Sequence, residues 1–300
     1  MVVSDLLFVG VDAGGTKTAA LAMAGDCSCR LEGPAAQALR DGPEAAAAVV
    51  AALLSDAQGQ LGGVPFGGVA VGLAGAGRDS VRGAVSSALA PHLDGAPFTV
   101  THDADIAYHA AWGDGSGALL LVGTGSLVFA RTEDGETVRA GGWGTVLGDD
   151  GSGAALGRAA LRVLLAALDG GPPSTLPEIA AERFDLTTAD DVMAAVYTER
   201  RPLASFCPLL LAAVEAGDWT AEAALHAEVN GLAKQAGWLA TRTGDGLRQR
   251  LAYAGGLSGE PVYRAALEAA LDRHLPGWDV SRCEAEPVEG ALAMARALAG

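Results

Sequence analysis

Basic residues are scarce in this sequence, with 20 Lys and Arg against 36 Asp and Glu and a formal charge of −16. A nucleic-acid partner is therefore not expected, because holding a phosphate backbone needs a basic face. The acid excess is read as a solubility feature. Cysteine is scarce too, and the four present (Cys27, Cys29, Cys207, Cys283) have no metal-site spacing. Cys27 and Cys29 have one residue between them and the other two are solitary, so all four read as small core or surface residues. No uninterrupted apolar run reaches the ~20 residues that span a bilayer. Asp5 stands where a secretory leader needs a basic segment followed by an apolar one, so a soluble, cytoplasmic chain without a leader is expected. Two familiar nucleotide motifs are also missing. No G-x-G-x-x-G opens a helix, and Thr16 intervenes between Gly15 and Lys17 where a P-loop needs Gly directly before Lys.

What is present is ample core material. Half of the 300 residues are hydrophobic, enough for one large domain or two of ordinary size. The apolar run Leu6–Val11 reads as a buried strand. It ends in Asp12 and the turn Ala13-Gly14-Gly15-Thr16-Lys17-Thr18, after which a second apolar run follows. Paired glycines allow positive φ, and such a turn offers consecutive N–H groups to phosphate oxygens. Thr16 and Thr18 add hydroxyls, Lys17 a cation, and Asp12 a carboxylate able to hold Mg²⁺ or its water. A GG pair after a strand is also an ordinary hairpin turn. The pattern recurs, however, roughly a hundred residues on, where LLLV leads into Gly123-Thr124-Gly125-Ser126 and a further apolar run. Two such loops suggest two similar halves addressing one nucleotide, with Thr16 and Thr124 on opposite sides of its phosphates.

The intervening chain reads as α/β. Asp41-Gly42-Pro43-Glu44 opens a helix with Asp41 as cap, and Gly67–Leu73 is a strand ending in the glycine-rich bend Ala74–Gly77. The strand Pro97–Thr101 runs into His102, Asp103, Ala104 and Asp105. Carboxyl ends of parallel strands line ligand crevices, which makes Asp103 a candidate catalytic carboxylate. An acid at a helix start is also a common N-cap. Glu133–Glu136 is a hairpin turn with the Asp-Gly signal, and the chain from Ala154 to about Gly246 is nearly all helical. Thr220–Thr243 forms its longest helix with Thr220 as cap. A strand Arg248–Ala254 and a final helix Val288–Leu298 close the chain.

DAGGTKT, GTGS and the late Ala254-Gly255-Gly256, in this order, resemble the actin, sugar kinase and Hsp70 superfamily. The stretch GGWGTVLGDDGSG, Gly141–Gly153, is similar to the N-acetylglucosamine kinase branch of the BadF/BadG/BcrA/BcrD ATPase family. The resemblance implies two ribonuclease-H-like domains with an ATP cleft between them. Residues 1–112 with the helix 288–300 would form one, and residues 113–287, with a helical insertion, the other. It further implies ATP and Mg²⁺ as cofactors, held by Gly14, Gly15, Thr16, Lys17, Thr124, Gly125, Gly255 and Gly256, with Asp12 toward the metal. Asp103 would activate the acceptor hydroxyl. Gln37, Gly142, Trp143 and Asp149 would line the sugar site, Gln37 standing where the branch carries an Asn; Gln37 also reads as a solvated loop residue. Trp143, set among glycines with nothing fixed to pack on, would close over the sugar. Because related glucosamine kinases lack this Trp, an N-acetyl sugar is favoured. The implied activity is ATP-dependent phosphorylation of the 6-hydroxyl of N-acetylglucosamine or a related amino sugar by a cytoplasmic homodimer, with no membrane partner. The alternatives are a glucosamine kinase, a non-catalytic regulator, or an ATPase that activates a partner protein, for which the cluster cysteines of such activators are missing.

Overall fold

The structure, a computed structural model, describes residues 6–299; Asp5, which bears on the expected absence of a leader, lies outside them. Three strands come first, β1 (Leu7–Ala13), β2 (Lys17–Ala24) and β3 (Cys27–Pro34). Helices α1 (Ala38–Asp41) and α2 (Pro43–Gln60), strand β4 (Phe66–Leu73), helix α3 (Asp79–Leu89), strand β5 (Phe98–His102) and helix α4 (Asp103–Trp112) follow. Then come β6 (Gly117–Val122), β7 (Ser126–Arg131) and β8 (Thr137–Gly141), and helices α5 (Gly153–Leu168), α6 (Leu176–Phe184), α7 (Ala189–Met193), α8 (Cys207–Glu215) and α9 (Trp219–Thr243). The chain ends with β9 (Arg250–Ala254), α10 (Pro261–His274), β10 (Asp279–Arg282) and α11 (Pro287–Ala297). It divides into two compact units, one running through Gly115 and resuming at Cys283, the other spanning Ser116–Arg282.

Each unit holds one five-stranded sheet, and the two sheets share a topology. The first has the order β3-β2-β1-β4-β5 and the second, read from its other edge, β8-β7-β6-β9-β10. In both, three antiparallel strands are followed by two that run parallel to the first. This is the ribonuclease-H-like arrangement, met twice. The interior strand β4 is buried at every position, as a parallel strand covered on both faces should be. The edge strand β3 alternates between exposed and half-buried residues over most of its length.

In the first unit α11 lies directly on β1, β4 and α4. Glycine makes this approach possible: a Cβ on Gly10 would overlap the Leu292 backbone nitrogen, and one on Gly290 the Ile106 carbonyl. The second unit is built on a larger core in which Tyr253, Tyr263 and Phe206 are fully buried. The Tyr263 hydroxyl donates to the Gly151 carbonyl at 2.8 Å, tying α10 to the segment that opens α5. Among the described residues no helix is long and apolar enough to cross a membrane.

Two helix starts differ from expectation. Gly42, not Asp41, is the N-cap of α2; the Asp41 carboxylate turns back to the Gln37 N–H at 2.9 Å and to Arg40. At α9 the cap is Asp218, which accepts from the N–H groups of Thr220 and Ala221, while the Thr220 hydroxyl donates to the Pro173 carbonyl. In both cases a neighbouring polar side chain found a partner outside the helix it was expected to cap. Pro208 sits in the first turn of α8, where its missing N–H costs nothing.

Candidate active site

The turn between β1 and β2 is closed by the Gly14 N–H donating to the Lys17 carbonyl at 3.0 Å. Neither Gly14 nor Gly15 takes the left-handed φ expected of them; what Gly15 provides is open space, with no atom near the position a Cβ would fill. Thr16 is exposed. The other two expected phosphate donors are engaged elsewhere. The Thr18 hydroxyl is buried and donates to the Pro34 carbonyl at 2.7 Å, and Lys17 pairs with Glu32 at 2.6 Å on the exposed face of the hairpin. Lys17 is a surface pair in this structure, and such pairs contribute little to stability.

Two carboxylates of the first unit bear on one another. Asp12 stands near the end of β1, and burial with the neighbouring Asp103 charge pushes its carboxyl up to about 6. Asp103 opens α4 at the end of β5. It is not the N-cap: His102 holds that position, and its N–H donates to the Asp105 carboxylate at 3.2 Å. Asp103 Oδ1 accepts the Ala104 N–H at 2.9 Å and lies 2.8 Å from His102 Nδ1. Burial works against the Asp103 anion, but His102 and the Ala104 N–H outweigh it and hold its carboxyl below the usual range. Gln37 is half-buried in the turn preceding α1, and its side chain takes no part in capping that helix.

In the second unit the turn Gly123–Ser126 repeats the first. The Gly123 N–H closes it onto the Gly125 carbonyl at 2.9 Å, and Thr124 is exposed. The first N–H groups of α5 are consumed here, Gly153 donating to the Gly123 carbonyl and Ala154 to that of Thr124. The turn opens onto a cavity of about 530 Å³ lying wholly within this unit. Gly123, Thr124 and Gly153 line one part of it, Gly256 and Leu257 another, and Ala204, Cys207, Pro208 and Leu211 form an apolar wall. Arg183, Glu215 and Glu260 add charge to its lining. Nothing in the local sequence pattern signals this wall, which is formed by α8 and the segment just before it. Gly255 and Gly256 serve different ends. Gly255 has φ +107° and a Cβ there would overlap the Val122 carbonyl, so the protein itself requires it, whereas Gly256 faces open space.

The expected sugar loop starts at the end of β8. Trp143 is 65 % exposed, and the Arg139 guanidinium lies over its ring, 4.5 Å from the centroid, a cation–π contact. Val146 and Leu147 are also exposed. Gly142 has φ +69° and leaves no room for a Cβ beside Leu127. Asp149, by contrast, is buried. Its Oδ1 accepts the Gly144 N–H at 3.0 Å, and backbone donors at Trp143 and Ser126 also serve its carboxylate, although burial pushes its carboxyl up overall. It thus fastens the Trp143 loop to the second phosphate turn. Among the described residues no three His, Cys, Asp or Glu side chains group to hold a metal ion, and the four cysteines are free.

Two ribonuclease-H-like units, each with a strand–turn–strand loop at the head of its sheet, define the actin-like ATPase class of which sugar kinases are part. The chain belongs to the BadF/BadG/BcrA/BcrD ATPase family, which it matches over residues 9–295. It is similar to the N-acetyl-D-glucosamine kinase of Dictyostelium discoideum, 25% identical over 97% of this chain and 98% of that protein. An N-acetylmuramic acid/N-acetylglucosamine kinase of Clostridium acetobutylicum is 26% identical over 70% of this chain and 71% of its own length. Among solved structures, a candidate N-acetylglucosamine kinase from Chromobacterium violaceum superimposes with a TM-score of 0.75 at 27% identity, covering 97% of this chain and 99% of the other.

Proposed function

We propose that this chain is an ATP-dependent kinase that phosphorylates the 6-hydroxyl of N-acetylglucosamine or a close N-acetylated relative. The observation that carries the reading is the cavity of the second unit, which joins the Gly123–Thr124 turn to Gly256 and Leu257. Those stretches correspond to phosphate and adenosine contacts in the kinases that this chain resembles. The apolar wall gives a base a dry surface, and Thr124 and Gly125 address phosphate oxygens. From the first unit, Gly14, the open backbone at Gly15 and the Thr16 hydroxyl are assigned to phosphate as well.

Phosphoryl transfer asks little covalent work of a protein; positioning, charge neutralisation and exclusion of water supply most of the rate. Asp103 Oδ2 accepts a hydrogen bond from the acceptor hydroxyl and takes its proton as the bond to phosphorus forms. Asp12 is a hard oxygen donor and is assigned to the divalent cation, which in such sites is held by one or two carboxylates plus substrate phosphates. Mg²⁺, when bound, neutralises charge on the phosphate oxygens. Gln37, Gly142 and Trp143 contact the sugar, with Asp149 as their anchor or as a direct ligand. Homodimer formation and a cytoplasmic location complete the proposal.

The test is ATP turnover with and without a panel of amino sugars, including N-acetylglucosamine, N-acetylmuramic acid and glucosamine. ADP release that depends on an N-acetyl sugar and on added Mg²⁺ supports the reading. Sugar-independent turnover points instead to an ATPase acting on a partner protein.

A further inference from the structure

His102 Nδ1 lies 2.8 Å from Asp103 Oδ1 and 3.1 Å from the Ala104 backbone nitrogen. One ring nitrogen cannot serve both neighbours. Without a proton, Nδ1 could accept from Ala104, but its lone pair would then face a carboxylate oxygen at hydrogen-bond distance. With a proton, Nδ1–H donates to Asp103 Oδ1, and the Ala104 N–H has the same oxygen at 2.9 Å. The second arrangement satisfies Nδ1, Oδ1 and the Ala104 N–H together and places a proton on Nδ1. Oδ1 then receives two donors while Oδ2 remains an acceptor.

We propose that His102 is a positioning residue for phosphoryl transfer: its Nδ1–H pins one oxygen of Asp103 so that the other is presented to the acceptor hydroxyl. The inference rests on the reading of Asp103 as catalytic base. The ring is half-buried, and the bend at Gly77 runs beside its outer edge, where an added Cβ would stand 3.5 Å from Cδ2 and 3.8 Å from Nε2. The charged groups that bear on it are Asp103 and Asp105 on its own helix and Arg82 on α3. Helix capping does not account for this side chain. Asn, Asp and Ser are the stronger N-caps, and the Ala104 N–H that His102 would cap already has Asp103. An unpinned carboxylate samples other rotamers, and a misplaced catalytic group loses rate without losing substrate affinity.

Asn and Asp at position 102 separate the roles, since both cap a helix well but only Asn has a proton to donate. Steady-state kinetics with N-acetylglucosamine and ATP should show His102→Asn within about threefold of the parent kcat. His102→Asp should lower kcat about tenfold or more with both KM values within about twofold, the signature of lost transition-state positioning. In an Asp103→Asn background, His102→Asp should cost nothing further. His102→Leu, neutral and without a donor, carries the same expectation as His102→Asp if the added charge prevents folding. Equal losses for His102→Asn and His102→Asp, or a donorless variant within twofold of the parent, would overturn the proposal. Failure of the underlying reading looks different, because Asp103→Asn would then itself remain active.

Discussion

The carboxylate of Asp149 lies under Gly125 so closely that a methyl group on the glycine would stand 2.6 Å from its Oδ2. The same buried side chain accepts the Gly144 N–H, so one acid braces both a phosphate turn and the loop carrying Trp143. Removing it leaves buried N–H groups without an acceptor, each costing about 1–3 kcal/mol. Asp149→Ala is therefore expected to lower the melting temperature by several degrees and to weaken ATP and sugar together in calorimetric titrations. An unchanged melting temperature with loss of sugar affinity alone would make Asp149 a direct sugar ligand instead.

The cavity in the second unit gives a prediction about the nucleotide. Ala204 is half-buried in its apolar wall, and Ala204→Trp should fill the space a base needs. KM for ATP should rise about tenfold or more, equivalent to about 1.4 kcal/mol or more of binding, with the melting temperature near that of the parent. An unaltered KM for ATP would place the base elsewhere.

Asp12 links the site to pH. Its carboxyl is raised to about 6 by burial and by Asp103. The folded state thus prefers the protonated form more than the unfolded state does. The associated stability is present at low pH and is lost as pH rises from the ordinary carboxylate range through about 6. Asp12→Asn should therefore melt above the parent at pH 7.5, with the gap narrowing toward pH 4.5, while turnover collapses. A gap of constant size across that range would argue against the raised carboxyl.

What was legible in the sequence was local. Apolar runs broken by Asp12-Ala13-Gly14-Gly15 and Gly123-Thr124-Gly125 mark strands and turns because turn chemistry is decided within a few residues. The same locality brought out the Asp134-Gly135 hairpin, where Gly135 takes φ +86°. Partners distant in sequence were not legible. Arg183, Cys207 and Leu211 come to one cavity through packing of alanine-rich helices whose pattern does not separate a pocket face from a core face. Nor does Gly255 announce that it is required by the Val122 carbonyl, or Gly10 that a helix some 280 residues away in the sequence lies across it. The capping errors at Asp41 and Thr220 have the same origin, since each side chain was claimed by a group that the local pattern does not reveal.

The reading of the site stands most directly on Asp103. Asp103→Asn keeps the size and the contact with Ala104 but removes the proton acceptor, and help of that kind is worth roughly 10²–10⁴ in rate. The decisive measurement is kcat with saturating N-acetylglucosamine and ATP, accompanied by separate binding titrations of each. The account predicts a fall of about a hundredfold or more, with ATP affinity nearly unchanged and sugar affinity modestly reduced. A folded Asp103→Asn enzyme turning over within about fivefold of the parent, a deficit too small for a lost general base, would contradict it.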